Sequence, residues 1–137
     1  MDTFATLPFP SDVNEEAPDG STLRALVRVG RGTMAHFELA PGCTSRPVVH
    51  RTVDEMWFVL RGHGEIWRKR GTDEAIVALV PGTSLTIPSG TSFQFRSTTD
   101  GPLTCIGVTM PPWPGNAEAE PVPGPWTPSA AREWRTI

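Results

Sequence analysis

The chain has 137 residues, with 12 Lys and Arg against 15 Asp and Glu and a formal net charge of −3. That length suits one domain with a real core and is short for two. The net charge gives no electrostatic footprint for phosphates, so nucleic acid is not expected as a partner, and no apolar stretch approaches the length that spans a bilayer, so no membrane is expected either.

The first segment, Met1 to Gly20, is acidic and proline-containing, without a basic head, an apolar centre or a small-residue cleavage site. It reads as an N-terminal arm (residues 1–20) whose order depends on packing against the rest, and a cytoplasmic location is the expectation. The 15 Pro and 13 Gly fall between short apolar runs, the punctuation of an all-β chain. About eight runs of strand length follow from Thr22: TLRALVRV, TMAHFELA, DEMWFVLR, HGEIWRKR, EAIVALV, TSLTIP, SFQFRS and PLTCIGVTM. Turn formers such as Pro41-Gly42, Arg61-Gly62, Pro81-Gly82, Ser89-Gly90 and Asp100-Gly101 connect them, which favours a sandwich or a closed barrel that hides its edges.

In the run Glu55-Met56-Trp57-Phe58-Val59-Leu60 both alternating faces are apolar apart from Glu55, as in a strand covered on both sides. One side is expected to face the interior. The other needs a second sheet or a partner chain, and a homodimer meets that need. The cysteines, Cys43 and Cys105, are too few and too widely spaced for a disulfide framework and read as reduced, partly buried thiols. His63, in Arg-Gly-His-Gly-Glu, falls at a turn and is expected in solvent.

The barrel is assigned to residues 21–112. From Pro111 onward there are seven prolines and three tryptophans, Trp113, Trp126 and Trp134. Repeated prolines disfavour helix and central strand, while tryptophans are uncommon in disordered segments. Residues 113–137 therefore read as a tail pinned by its tryptophans to the barrel or to a neighbour, with a short helix from Ser129 to Trp134.

Two segments resemble the motifs of the cupin superfamily. Pro47 to Gly62 (PVVHRTVDEMWFVLRG) keeps the spacing from Glu55 to Gly62, with His50 at the motif's second histidine and Val48 in place of the first. Gly82 to Ser97 (GTSLTIPSGTSFQFRS) keeps the Gly and Pro-x-Gly spacing, with Phe93 in place of the third histidine and Ser97 in place of an asparagine. The resemblance spans roughly residues 33–110 and extends to small single-domain cupins described as mannose-6-phosphate isomerase-like. It implies a double-stranded β-helix, or jelly-roll barrel, around a small-molecule pocket.

The resemblance also implies a divalent metal such as Fe, Mn, Ni or Zn, of whose four ligands this chain keeps His50 and Glu55. Two protein ligands make a weak site. Carrying the positions over gives a pocket of Val48, His50, Glu55, Trp57, Phe93 and Phe95, with His36 and Cys105 as further candidates. Strand alternation turns Phe93 and Phe95 inward and Gln94 away. It sets His36 opposite Phe37 and Leu39, outside unless it interrupts the pocket wall. With a metal, His50 and Glu55 would be ligands, as in a cupin oxygenase. Without one, they would move a proton, as in an isomerase, epimerase or cyclase, or would serve as a hydrogen-bonded pair in a binding pocket without turnover.

Overall fold

The computed structural model describes residues 3–12, 15–98 and 100–129. Among the described residues eleven strands form two antiparallel sheets: β1 (Glu15–Glu16), β2 (Thr22–Val29), β3 (Gly32–Leu39), β4 (Val48–His50), β5 (Asp54–Arg61), β6 (Gly64–Arg70), β7 (Asp73–Leu79), β8 (Ser84–Ile87), β9 (Ser92–Ser97), β10 (Leu103–Met110) and β11 (Ala119–Pro121). One sheet runs β1-β2-β3-β10-β5-β8 and the other β11-β4-β9-β6-β7. Pairing strands distant in sequence within two facing sheets gives the jelly-roll double-stranded β-helix. The eight sequence runs correspond to β2, β3, β5, β6, β7, β8, β9 and β10.

The core lies between the sheets. Trp57 and Val59 of β5 turn inward with Phe37 and Leu39 of β3, Phe93 and Phe95 of β9, and Leu103 and Cys105 of β10. Period-2 alternation sends Met56, Phe58 and Leu60 to the outer face, where all three are exposed. Among the described residues no second layer covers that face.

Both flanks of the barrel pack onto it. The arm adds β1 as an edge strand, and Phe9 lies edge-on to His36 at 4.8 Å between ring centroids. The tail supplies β11, which pairs with β4 through Ala119↔His50 and Pro121↔Val48. Pro121 is tolerated because β11 is an edge strand. Trp126 lies over the Arg96 guanidinium at 4.0 Å, and its backbone completes the bonding of Gln94. Of the helix expected from Ser129 to Trp134 only Ser129 is among the described residues, and Trp134 lies outside them.

Candidate functional site

A cavity of about 230 Å³ opens on the inner side of β2 and β3. Val48, His50, Glu55 and Trp57 line one wall, with Phe37 and Gly107 beside them. The arm contributes Ala17, Pro18, Asp19 and Ser21, and the tail contributes Trp113, Asn116 and Ala119. The two flanks thus close what the barrel leaves open.

The turn 51–53 between β4 and β5 brings His50 and Glu55 together. Glu55 Oε1 lies 3.2 Å from His50 Nδ1, and Trp57 Nε1 donates to Glu55 Oε2 at 2.8 Å. The first contact is close but lacks hydrogen-bond alignment, so the buried Nδ1 has no hydrogen-bond partner. Phe93 and Trp113 each meet the His50 ring edge-on at 5.1 Å and hold it in place. Gly107 stands opposite Trp57 on β10, where a Cβ would lie 3.0 Å from both Glu55 Oε2 and Phe37 Cε1. A side chain there would displace the carboxyl.

The turn is fixed from the tail. Glu118, in the 3₁₀ turn Asn116–Glu118, accepts hydrogen bonds from the Thr52 amide, the Val53 amide (2.9 Å) and the Thr52 hydroxyl (2.8 Å). Burial by itself would raise the pKa of Glu118, but these bonds outweigh it and hold the carboxyl below its ordinary value. Gly90 N also donates to His50 O at 3.0 Å, anchoring the end of β4.

Burial pushes the Glu55 carboxyl up to about 8 against the Trp57 hydrogen bond, and the Asp19 carboxyl adds to the rise. Burial lowers His50 to about 4, although the charge of Glu118 acts the other way. Asp19 is raised by burial despite its bonds from Ser21 N (3.0 Å) and Ser21 Oγ (2.7 Å). Near neutral pH the pair is therefore a carboxylic acid beside a neutral imidazole.

A pH dependence of stability follows. The folded chain keeps a proton on Glu55 that the unfolded chain has released, so this contribution is full below about 4.5 and is lost as pH rises to about 8. His50 acts oppositely, adding stability as pH rises from about 4 to 6.5. Above pH 6.5 the Glu55 effect stands clear of it, amounting to at most about 2 kcal/mol by pH 8. Asp19 slopes in the same direction, so the difference between wild type and Glu55→Gln is the readout. Thermal melts from pH 6.5 to 8 are expected to fall more steeply for wild type, and parallel curves would show Glu55 to be ordinary.

Four expected pocket residues lie elsewhere. Phe93 and Phe95 face inward but are wholly buried behind the cavity wall, with Trp57 against them at 5.9 and 4.9 Å between ring centroids. Cys105 is fully buried in the core, and burial, with Glu55 and Asp19 adding to it, pushes its thiol up to about 12, a form that is neither ligand nor nucleophile. His36 is on the outer face of β3 and is covered by Phe9. Gln94 also points out of the interior but is buried under the tail, donating to Ser45 O (2.9 Å) and Trp126 O (2.8 Å).

The sequence reading missed Asp19, Gly107, Trp113 and Glu118. A glycine inside the run LTCIGVTM does signal a close approach, and that signal was available for Gly107. Glu118 carries no comparable signal.

The side chains do not fit the four-ligand metal centre that the resemblance implies. Two ligand positions are the buried Val48 and Phe93, one Glu55 oxygen is taken by Trp57, and among the described residues no group of three or more His, Cys, Asp or Glu could hold a metal ion. What remains is an acid and a base on the wall of an apolar cavity.

No functionally curated protein matches the chain. Among solved structures, it is similar to BH2720 from Bacillus halodurans (20% identity, TM-score 0.62, covering 75% of this chain and 76% of that one). It is also similar to KdgF from Halomonas sp. (16%, 0.61, 75% and 93%). A variant of oxalate decarboxylase from B. subtilis aligns at 14% identity and TM-score 0.72 over 89% of this chain and 34% of its own length. At these identities the likeness shows the fold alone. The Cupin domain model matches residues 35–109, more than half of the chain and the stretch that carries both motifs, so the chain belongs to the cupin family.

Proposed function

We propose that this cupin binds a small organic molecule between its sheets and that Glu55 and His50 move a proton on it without a metal, the chemistry of an isomerase, epimerase or cyclase. The observation that carries the reading is the Glu55–His50 contact of 3.2 Å on the wall of the cavity. Among the described residues the buried Nδ1 of His50 meets only Glu55, so every proton that reaches the ligand passes through the carboxyl. Glu55 passes its proton to Nδ1 and, as the carboxylate, takes one from the ligand; it then hands that proton to a neighbouring ligand position and recovers its own from Nδ1, so the ligand is rearranged with no net gain or loss of protons. Trp57 Nε1 holds the second carboxyl oxygen and keeps the acid aimed.

A ligand of the native state raises apparent stability by about 2.7 kcal/mol at 100 times its Kd, so a thermal-shift screen of metabolites identifies binders. Each binder is then incubated in D2O with wild type and with Glu55→Gln. Wild type is expected to exchange deuterium into one carbon-bound position, read by NMR, and Glu55→Gln to bind without exchange. Binding with no exchange in wild type would make the protein a binding module, and exchange that survives in Glu55→Gln would remove Glu55 from the mechanism.

A further inference from the structure

The cavity has a charged rim whose occupant the carboxyl–imidazole pair does not explain. In β2, Leu23 pairs with Phe37 and Ala25 with Ala35, so odd-numbered residues share the cavity side. Strict alternation would then set Val27 opposite Thr33 and turn Arg28 outward. Instead the register shifts between Ala25 and Arg28, and Arg28 itself pairs with Thr33. Two residues of β2 thus stand against one of β3, a bulge that reverses the parity and brings Arg28 to the cavity side.

Arg28 is the one cation among the residues lining the cavity, and among the described residues it has no ion pair or hydrogen bond. Arg51 and Arg96, by contrast, each have a carboxylate partner. Arg28 is exposed while His50 and Trp57 are buried, so the guanidinium belongs to the mouth and the acid–base pair to the depth. Leu23, Leu26, Phe37 and Trp113 supply the apolar lining.

We propose that the ligand is a small apolar or aromatic carboxylic acid, its carboxylate held by Arg28 at the mouth and its body laid along the apolar wall toward Glu55. The assignment rests on the cavity reading above and adds the ligand's chemical class. A guanidinium offers a carboxylate two parallel N–H donors, and a cavity of about 230 Å³ is smaller than the usual drug-sized site, which favours a compact metabolite.

The probes are 2-naphthoate and 2-naphthylmethanol, which share a flat apolar body and differ in the anionic group. Affinities are measured by calorimetry on the full chain, for wild type and Arg28→Gln. Wild type is expected to prefer the carboxylate by about tenfold, the strength of one charge-assisted contact at a wet rim, and Arg28→Gln to bring the two probes level while leaving the alcohol unchanged. Equal affinities in wild type, or a preference that survives in Arg28→Gln, would overturn the assignment while leaving the cavity intact. Failure of both probes to bind wild type would overturn the cavity reading together with it.

Discussion

A Val48→His, Phe93→His double variant is expected to retain a single divalent ion per chain under dialysis conditions in which the parent retains no stoichiometric metal. The argument is one of register. Val48 of β4 and Phe93 of β9 are Cα partners in the same ladder, both are buried, and the Phe93 ring lies 5.1 Å from that of His50. Two imidazoles introduced there would join His50 and Glu55 to give three nitrogens and one carboxylate, a donor set suited to Zn, Fe, Ni or Mn. Metal would also draw the proton off Glu55, whose carboxyl burial now pushes up to about 8. Metal analysis after dialysis, with far-UV circular dichroism as the check on folding, reads the result. A folded double variant that stays metal-free would show that these four positions do not converge.

The second large effect is expected at Glu118. Glu118→Ala leaves the Thr52 and Val53 amides without their acceptor in a turn where Val53 is fully buried. Losing the partner of the buried Val53 donor costs about 1–3 kcal/mol, while the groups of the exposed Thr52 turn to water, so a destabilisation of about 1–3 kcal/mol is expected in urea unfolding. Glu118→Gln keeps one acceptor oxygen and should recover about half of the loss. Binders from the thermal-shift screen should weaken in both variants, because the turn sets the position of His50 relative to Glu55. A change below about 0.5 kcal/mol in Glu118→Ala would place the fixing of this turn elsewhere, in the range of an ordinary surface substitution.

The barrel was legible in the sequence because its information is local. Turn formers bound each of the eight long runs, and alternation counted from an inward Glu55, the position the motif implies, separates Trp57 and Val59 from Met56, Phe58 and Leu60. The three strands that escaped are two or three residues long: Glu15–Glu16, Val48–His50 and Ala119–Pro121. No periodicity develops over such lengths, and Pro121 argued against a strand that only an edge position permits.

The site was legible as far as spacing reaches. His50, Glu55, Val48 and Trp57 do line one cavity. Alternation gives the side a residue faces and not its depth, which is why Phe93 and Phe95 were placed on the wall instead of behind it. The groups that close the cavity come from the arm and the tail, and local patterns along one sequence do not reveal which distant residue meets which. The bulge in β2 escaped for a related reason: TLRALVRV reads as an unbroken strand, and one extra residue changes the facing of Arg28 without leaving a mark on composition.

The stretch that makes this chain recognisable differs from the stretches that make it a container. Residues 35–109 carry both motifs, yet Asp19, Arg28, Trp113 and Glu118 all fall beyond them. Trimmed to that stretch, the scaffold would leave Phe37 and Trp57 facing water across an uncovered hollow. Selection acting on the chain's two outer portions can therefore change what is held, and how firmly, while the scaffold beneath stays the same.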